Sequence, residues 1–141
     1  MRLQDLRVTD LMSTAVLSVK ESELLPAADE TMKMADVRHL PVVDRHAHVV
    51  GVLSNRDVMA ALGAHGRKPK RVAEVMTRKV LTIHPNKLAR EAAALMLQYK
   101  IGSLPVVDDE QQLVGVITET DLLRVAHLAL EHGPDWQEAW R

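Results

Sequence analysis

Gly51-Val52-Leu53-Ser54-Asn55-Arg56-Asp57 is an apolar run that enters a hydroxyl residue, with an aspartate three positions later. The pattern predicts a strand that runs into the first turn of a helix. It returns as Gly115-Val116-Ile117-Thr118-Glu119-Thr120-Asp121, 64 residues further on (115 − 51). The same offset carries outward from both copies. Leu40-Pro41-Val42-Val43-Asp44 returns as Leu104-Pro105-Val106-Val107-Asp108, and Val8–Met12 returns as Val72–Met76. Leu24, Ala28 and Met32 return as Leu88, Ala92 and Met96. Between positions 7 and 60 and their partners no gap is needed, and about a third of the pairs are identical. A gapless match of that density marks one unit written twice.

Each unit reads strand, helix, strand, strand, helix. A single helical turn at Val8–Met12, with Thr9 or Asp10 as its cap, precedes a short strand at Val16–Val19. Leu24, Ala28, Met32 and Ala35 recur at helical spacing and predict a helix over 22–36, with Pro26 tolerated in its first turn. Leu40–Val43 predicts a second strand, and Pro41 places it at an edge or at a strand start. Asp44 to His48 form a polar turn, Val49–Leu53 a third strand, and 55–62 a helix. In the second copy Val80–Ile83 predicts the early strand, and the last helix runs from Glu119 to about His132, where Gly133-Pro134 stops it. The expected organisation is a first unit at 6–63, a linker at 64–71, a second unit at 72–132, and a tail at 133–141. The fold class is α/β (α+β). Helices on one face leave each sheet half covered, so the two units are expected to pack sheet to sheet about a pseudo-twofold, with two equivalent clefts.

Composition narrows the function. The 141 residues carry 18 basic and 19 acidic side chains, a formal charge of −1, so no global field favours nucleic acid or an anionic membrane. Phe is absent, and Tyr99, Trp136 and Trp140 are the whole aromatic complement, too few for a base-stacking platform. Without Cys there is neither a disulfide framework nor thiolate chemistry. No signal region and no long apolar run occurs, so a cytoplasmic location is expected.

With these residues in view, the chain resembles a tandem pair of cystathionine-β-synthase-type (CBS) domains, the Bateman module, over about residues 6–132. The marks are the Leu-Pro-Val-Val-Asp strand and the two hydroxyl–aspartate turns, each in fixed register. The resemblance implies a regulatory module that binds adenosine-containing ligands, such as AMP, ADP, ATP or S-adenosylmethionine. It also implies a homodimer and an output to an unidentified regulated protein. No attached domain accompanies the pair in these residues, so the resemblance is to a stand-alone module. The alternative is a structural module that dimerises or binds a partner without a small ligand.

The turns themselves allow two compatible readings. Ser54 with Asp57, and Thr118 with Asp121, are capping boxes in which a hydroxyl and an acid satisfy free backbone N–H groups. The same helix N-termini present free donors and partial positive charge to a phosphate. An aspartate there can accept the vicinal hydroxyls of a ribose. The resemblance implies clefts built from both units. One would join Ser54, Arg56 and Asp57 to Leu81, Ile101, Gly102 and Ser103. The other would join Thr118, Thr120 and Asp121 to Leu17, Val37, Arg38 and His39. Each cleft would then hold one basic contribution, and both would take a phosphorylated ligand.

Other candidates are weaker. His46 and His48 at i and i+2 invite a metal, but no third ligand is evident, and a solvated turn is the expectation. Met32, Met34, Met59 and Met96 fall at helical spacing and are expected in the core. Arg67-Lys68-Pro69-Lys70-Arg71 is the best nucleic-acid candidate; it is short and lacks aromatic neighbours, so nucleic acid is not an expected partner. No Gly-x-Ser-x-Gly elbow, Walker loop or paired-histidine metal motif occurs, and Ser54 has no base beside it in sequence. An enzyme is not expected, nor a metal or cofactor beyond a regulatory adenine nucleotide.

Overall fold

The computed structural model describes residues 1–63 and 70–140. His65, most of the predicted linker and Arg67, Lys68 and Pro69 of the basic run lie outside the described residues. The elements in order are α1 (Val8–Leu11), β1 (Val19–Lys20), α2 (Leu25–Ala35), β2 (His39–Val43), β3 (Val49–Ser54) and α3 (Asn55–Leu62). The second copy continues with α4 (Val72–Val75), α5 (Ala89–Tyr99), β4 (Ser103–Val107), β5 (Leu113–Thr118) and α6 (Glu119–His132). The α+β class and the predicted helices at 55–62 and 119–132 agree with this order. The duplication extends to the backbone. Asp36 and Lys100, 64 apart, both turn left-handed at φ 53° and 54°, and so do Ala47 and Gln111 at 66° and 64°.

Compact units and sequence repeats are not the same residues. One compact unit comprises Leu17–Leu81 with Glu110–Leu113; the other comprises Met1–Val16, Thr82–Asp109 and Val114–Arg141. The short opening helix of each repeat therefore folds with the body of the other. In the Thr118-containing unit, the Val8 and Thr9 N–H groups donate to the carbonyls of Lys87 and Pro85, and the Ala89 N–H donates to Leu6. In the Ser54-containing unit, Val72 and Ala73 donate to Glu23 and Glu21, and Leu25 donates to Lys70. These are the same bonds at equivalent positions.

The Ser54 unit is built on a three-stranded sheet in the order β1-β2-β3. β1 runs parallel to β2, with Val19 opposite Val42, and β2 runs antiparallel to β3, with His39 opposite Ser54. The proline strand is therefore central, not an edge. Pro41 is tolerated there for a reason of register. Its partner Val52 directs both backbone groups away from β2, to Thr77. On the other side β1 begins only opposite Val42, so the missing N–H of Pro41 faces no acceptor in the ladder. The predicted helix over 22–36 starts at Leu25, because Glu23 turns back to accept the Lys20 N–H at 2.8 Å and closes a turn of its own. Val19, Leu25, Ala28, Met32, Leu40, Val42, Leu53 and Val58 form the core, and Val72 and Met76 of the exchanged segment complete it. Met34 and Met59, expected inside, are 82% and 58% exposed; only Met32 and Met96 of that set are buried. Helical spacing groups residues on a face but does not say which face meets the sheet.

In the Thr118 unit β4 and β5 pair, and Ile83 makes a single parallel bridge to Val106 where a strand was predicted over 80–83. Pro85 explains the loss. Its counterpart Glu21 donates its N–H to Val43 at 3.0 Å, a bond that proline cannot make. The tail docks within this unit. It forms a 3₁₀ turn over Gly133–Ala139, buries Trp136, and stacks Trp136 edge-on against Trp140 at 5.9 Å.

The exchanged segments dictate the strand glycines. A Cβ on Gly51 would lie 2.6 Å from Met76 Sδ and 2.9 Å from the Thr77 carbonyl oxygen. On Gly115 it would lie 2.7 Å from Met12 Sδ and 3.0 Å from the Ser13 carbonyl oxygen. The thioethers can swing aside, but the carbonyls are held in bridges to Val52 and Val116. We expect Gly51→Ala and Gly115→Ala each to cost about 1–3 kcal/mol of stability by overpacking. Urea denaturation checks this, and a loss near zero would mean that the exchanged segment is loosely held.

Candidate functional site

The β2–β3 register creates the site in the Ser54 unit. Because His39 stands opposite Ser54, the start of one strand meets the end of the other. The Asn55 N–H donates to the Arg38 carbonyl at 2.7 Å and ties the first residue of α3 to the residue before β2. Ser54 is the N-cap, extended at φ −101° and ψ 152°, and its hydroxyl accepts the Asp57 N–H at 3.1 Å. An open pocket of about 500 Å³ lies over this corner, lined by Arg38, His39, Ser54, Asn55 and Arg56. Arg38, His39 and Arg56 are exposed, and Asp57 is half-buried at the first turn. Among the described residues, the Arg38 and Arg56 guanidiniums and the Asp57 carboxylate take part in no hydrogen bond or ion pair.

The Thr118 unit repeats the backbone and changes the side chains. The Glu119 N–H donates to the Gly102 carbonyl at 2.9 Å, the counterpart of the Asn55–Arg38 bond. Here the capping box is complete. The Thr118 N–H donates to Asp121 Oδ2 at 2.8 Å, the Thr118 hydroxyl lies 3.2 Å from the same oxygen, and the Asp121 N–H donates back to that hydroxyl at 3.4 Å. In place of the Arg38 side chain stands Gly102, and an added Cβ there would lie 3.0 Å from Glu119 Oε1. Thr120, the counterpart of Arg56, is exposed, and Ser103 is half-buried.

Arg38 and His39, expected with the Thr118–Asp121 turn, lie beside Ser54, Asn55 and Arg56 within their own hairpin. Gly102 likewise falls beside Glu119 of its own hairpin. Val37 packs half-buried against the core of the Ser54 unit, and its N–H donates to Met32; the Ile101 N–H donates to Met96 in the same way. Leu17, 49% exposed, and Leu81, half-buried, bound the long segment of the Ser54 unit. Asn55 and Glu119 were missing from the sequence-based set. Their backbone N–H groups take the carbonyl of the pre-strand residue, a contact legible only once the hairpin register is known.

CBS domains match this chain at residues 8–64 and 72–128. The chain belongs to the CBS-domain family. It is similar to the CBS domain-containing protein YhcV of Bacillus subtilis, 34% identical over 82% of this chain and 81% of that protein. It is also similar to CBSX2, solved in complex with AMP, with a TM-score of 0.78 at 29% identity over 90% of this chain and 99% of that one. A CBS domain pair solved with 5′-methylthioadenosine and S-adenosyl-L-methionine matches with a TM-score of 0.76 at 30% identity, over 86% of this chain and 95% of that one. Against other curated relatives the chain spans about a quarter of their length, 23% and 24% in two of them. Among the described residues no helix is long and apolar enough to cross a membrane.

The histidine turn is held by Asp44. Its Oδ1 accepts the N–H groups of His46 at 2.8 Å and of His48 at 3.0 Å, and Oδ2 lies 3.5 Å from His48 Nδ1. No group of three His, Cys, Asp or Glu residues placed to hold a metal occurs among the described residues. Burial alone would raise the Asp44 carboxyl, but the two backbone donors, His48 then His46, and the charge of the two imidazoles outweigh it. The carboxyl is held below its ordinary value. A carboxyl lowered in the folded state adds stability above its unfolded pKa and loses that contribution as pH falls through the folded one. Asp44→Asn is therefore expected to destabilise the protein near neutral pH, and the gap to wild type should narrow as the medium is acidified below about pH 4. Thermal melts of both proteins across that range check it; a gap independent of pH would mean that the carboxylate charge does not hold the turn.

Proposed function

We propose that this chain is a regulatory module that senses an adenosine-containing ligand at the corner where each β-hairpin runs into its helix. The observation that carries the reading is the Ser54 corner. There an N-cap hydroxyl and two uncommitted guanidiniums line an open pocket, and an uncommitted Asp57 carboxylate stands in the first turn of the helix beside it. A ribose presents two vicinal hydroxyls, which suit one carboxylate; a phosphate suits a helix N-terminus and a planar guanidinium fork. Related CBS pairs solved with AMP, with ATP, or with 5′-methylthioadenosine and S-adenosyl-L-methionine support that ligand class. Asp57 and Asp121 would take the ribose. Ser54, Arg56, Arg38 and His39 would surround one ligand, and Thr118, Thr120, Gly102 and Ser103 the other, with Leu17, Val37, Leu81 and Ile101 as apolar lining. The ligand would act by binding two arrangements of the chain with different affinity and shifting their populations. No step of chemistry on the ligand is part of this reading.

A second observation favours a binding surface as well. Helices α5 and α6 of the Thr118 unit leave Leu97, Leu123 and Leu130 exposed at 81%, 66% and 87%. Side chains of that size gain about 1.5–3 kcal/mol each when fully covered. A homodimer through this face belongs to the same reading, and a module that only dimerises or docks on a regulated protein is its rival.

Calorimetric titration with AMP, ATP, 5′-methylthioadenosine and S-adenosylmethionine separates the two. The sensing reading expects at least one to bind, with Asp57→Ala weakening the Ser54-corner site by about tenfold or more, the loss of charge-assisted hydrogen bonds. If none binds the wild-type protein, the reading fails and the rival stands.

A further inference from the structure

We infer that phosphate recognition belongs to the Ser54 corner alone, and that the Thr118 corner excludes phosphate. This rests on the reading of the two corners as adenosyl sites. Four observations converge on it. First, the hairpin register gathers three basic side chains into one place. Arg38, His39 and Arg56 all line the single pocket at Ser54. Their counterparts at the other corner, Gly102, Ser103 and Thr120, carry no charge.

Second, the sign of the charge reverses between equivalent positions. Asn55 is neutral, and its counterpart Glu119 is acidic. The Glu119 carboxylate lies against Gly102, where a Cβ would come within 3.0 Å of its Oε1. Gly102 is the counterpart of Arg38, so a carboxylate occupies the flank from which Arg38 projects in the other unit. Two carboxylates, Glu119 and Asp121, then stand at the first turn of α6, against one, Asp57, on α3. A phosphate there would meet like charge at the turn itself, and such juxtaposition works against the wrong ligand.

Third, the free hydrogen-bonding capacity differs. Asp121 gives one oxygen, Oδ2, to the complete capping box, which takes the Thr118 N–H and faces the Thr118 hydroxyl. Asp57 serves its helix only through its own N–H on Ser54, and its carboxylate is uncommitted among the described residues. A ligand at Ser54 meets both carboxylate oxygens uncommitted, whereas one at Thr118 meets one of them already engaged. Fourth, a closed box already screens the α6 N-terminus, so less of its partial positive charge remains for an anion.

The Thr118 corner is thus suited to an adenosyl group without phosphate, neutral or cationic. The unequal corners give the module a way to read a phosphorylated and an unphosphorylated nucleoside separately.

Isothermal titration of the full chain with AMP and with adenosine tests the assignment. AMP is expected to bind with one site per chain, and its affinity should fall with added salt, as charge-charge recognition requires. The Arg38→Gln/Arg56→Gln double variant should lower the AMP-to-adenosine affinity ratio about tenfold or more. Glu119→Asn with Thr120→Arg should create a second AMP site. Circular dichroism melts confirm that the variants fold. Two equal AMP sites in the wild type overturn the inference while the adenosyl reading stands. So does AMP binding that Asp121→Ala abolishes and Arg38→Gln/Arg56→Gln leaves intact. If neither AMP nor adenosine binds, and 5′-methylthioadenosine and S-adenosylmethionine also fail, the adenosyl reading itself is lost.

Discussion

The pairing of His39 with Ser54 across β2 and β3 is the constraint on which the site depends. It brings the residue before one strand to the residue after the other, and the short bond from the Asn55 N–H to the Arg38 carbonyl locks them together. A slip of one residue would turn every side chain of β3 to the opposite face and carry Leu53 out of the core. Burial of Leu40, Val42 and Leu53 therefore holds the register, and the register holds the pocket. The interior of the unit positions Arg38 and Arg56 although neither guanidinium is buried.

The second organising feature is the exchange of the opening segments. Each compact unit contains the first helical turn of the opposite repeat, held by reciprocal backbone bonds and by a methionine seated over a strand glycine. A repeat of about 60 residues buries too little surface to be comfortable alone. Completing its core with Val72 and Met76 from the other repeat relieves that shortage in the Ser54 unit. Glycine at 51 and 115 is then a packing requirement rather than a flexible point, since both lie in extended strands at negative φ.

The duplication also frees the two corners to diverge. The backbone at each is the same, down to the left-handed residues that end α2 and α5. The side chains around it are not. Arg38, Asn55 and Arg56 face Gly102, Glu119 and Thr120 as counterparts, so the geometry is conserved within the molecule while its charge is reversed. One backbone can thereby carry two ligand preferences at the cost of a few surface residues.

The sequence by itself determined the duplication, the order of the elements, the α3 and α6 boundaries and the hydroxyl–aspartate caps. All of these are written in short-range patterns: apolar periodicity, a cap residue, a fixed offset. It could not decide which residues far apart in the chain would meet. The bond from Val8 to Lys87 has no local signature, and neither does the choice of helical face that left Met34 and Met59 in solvent. Tertiary structure decided that Pro41 sits in a central strand, that Pro85 reduces the second early strand to one bridge, and that Arg38 lies beside Arg56 at one end of a hairpin. The antiparallel ladder makes that neighbourhood, because strand pairing rather than sequence proximity sets which side chains of a hairpin share a corner.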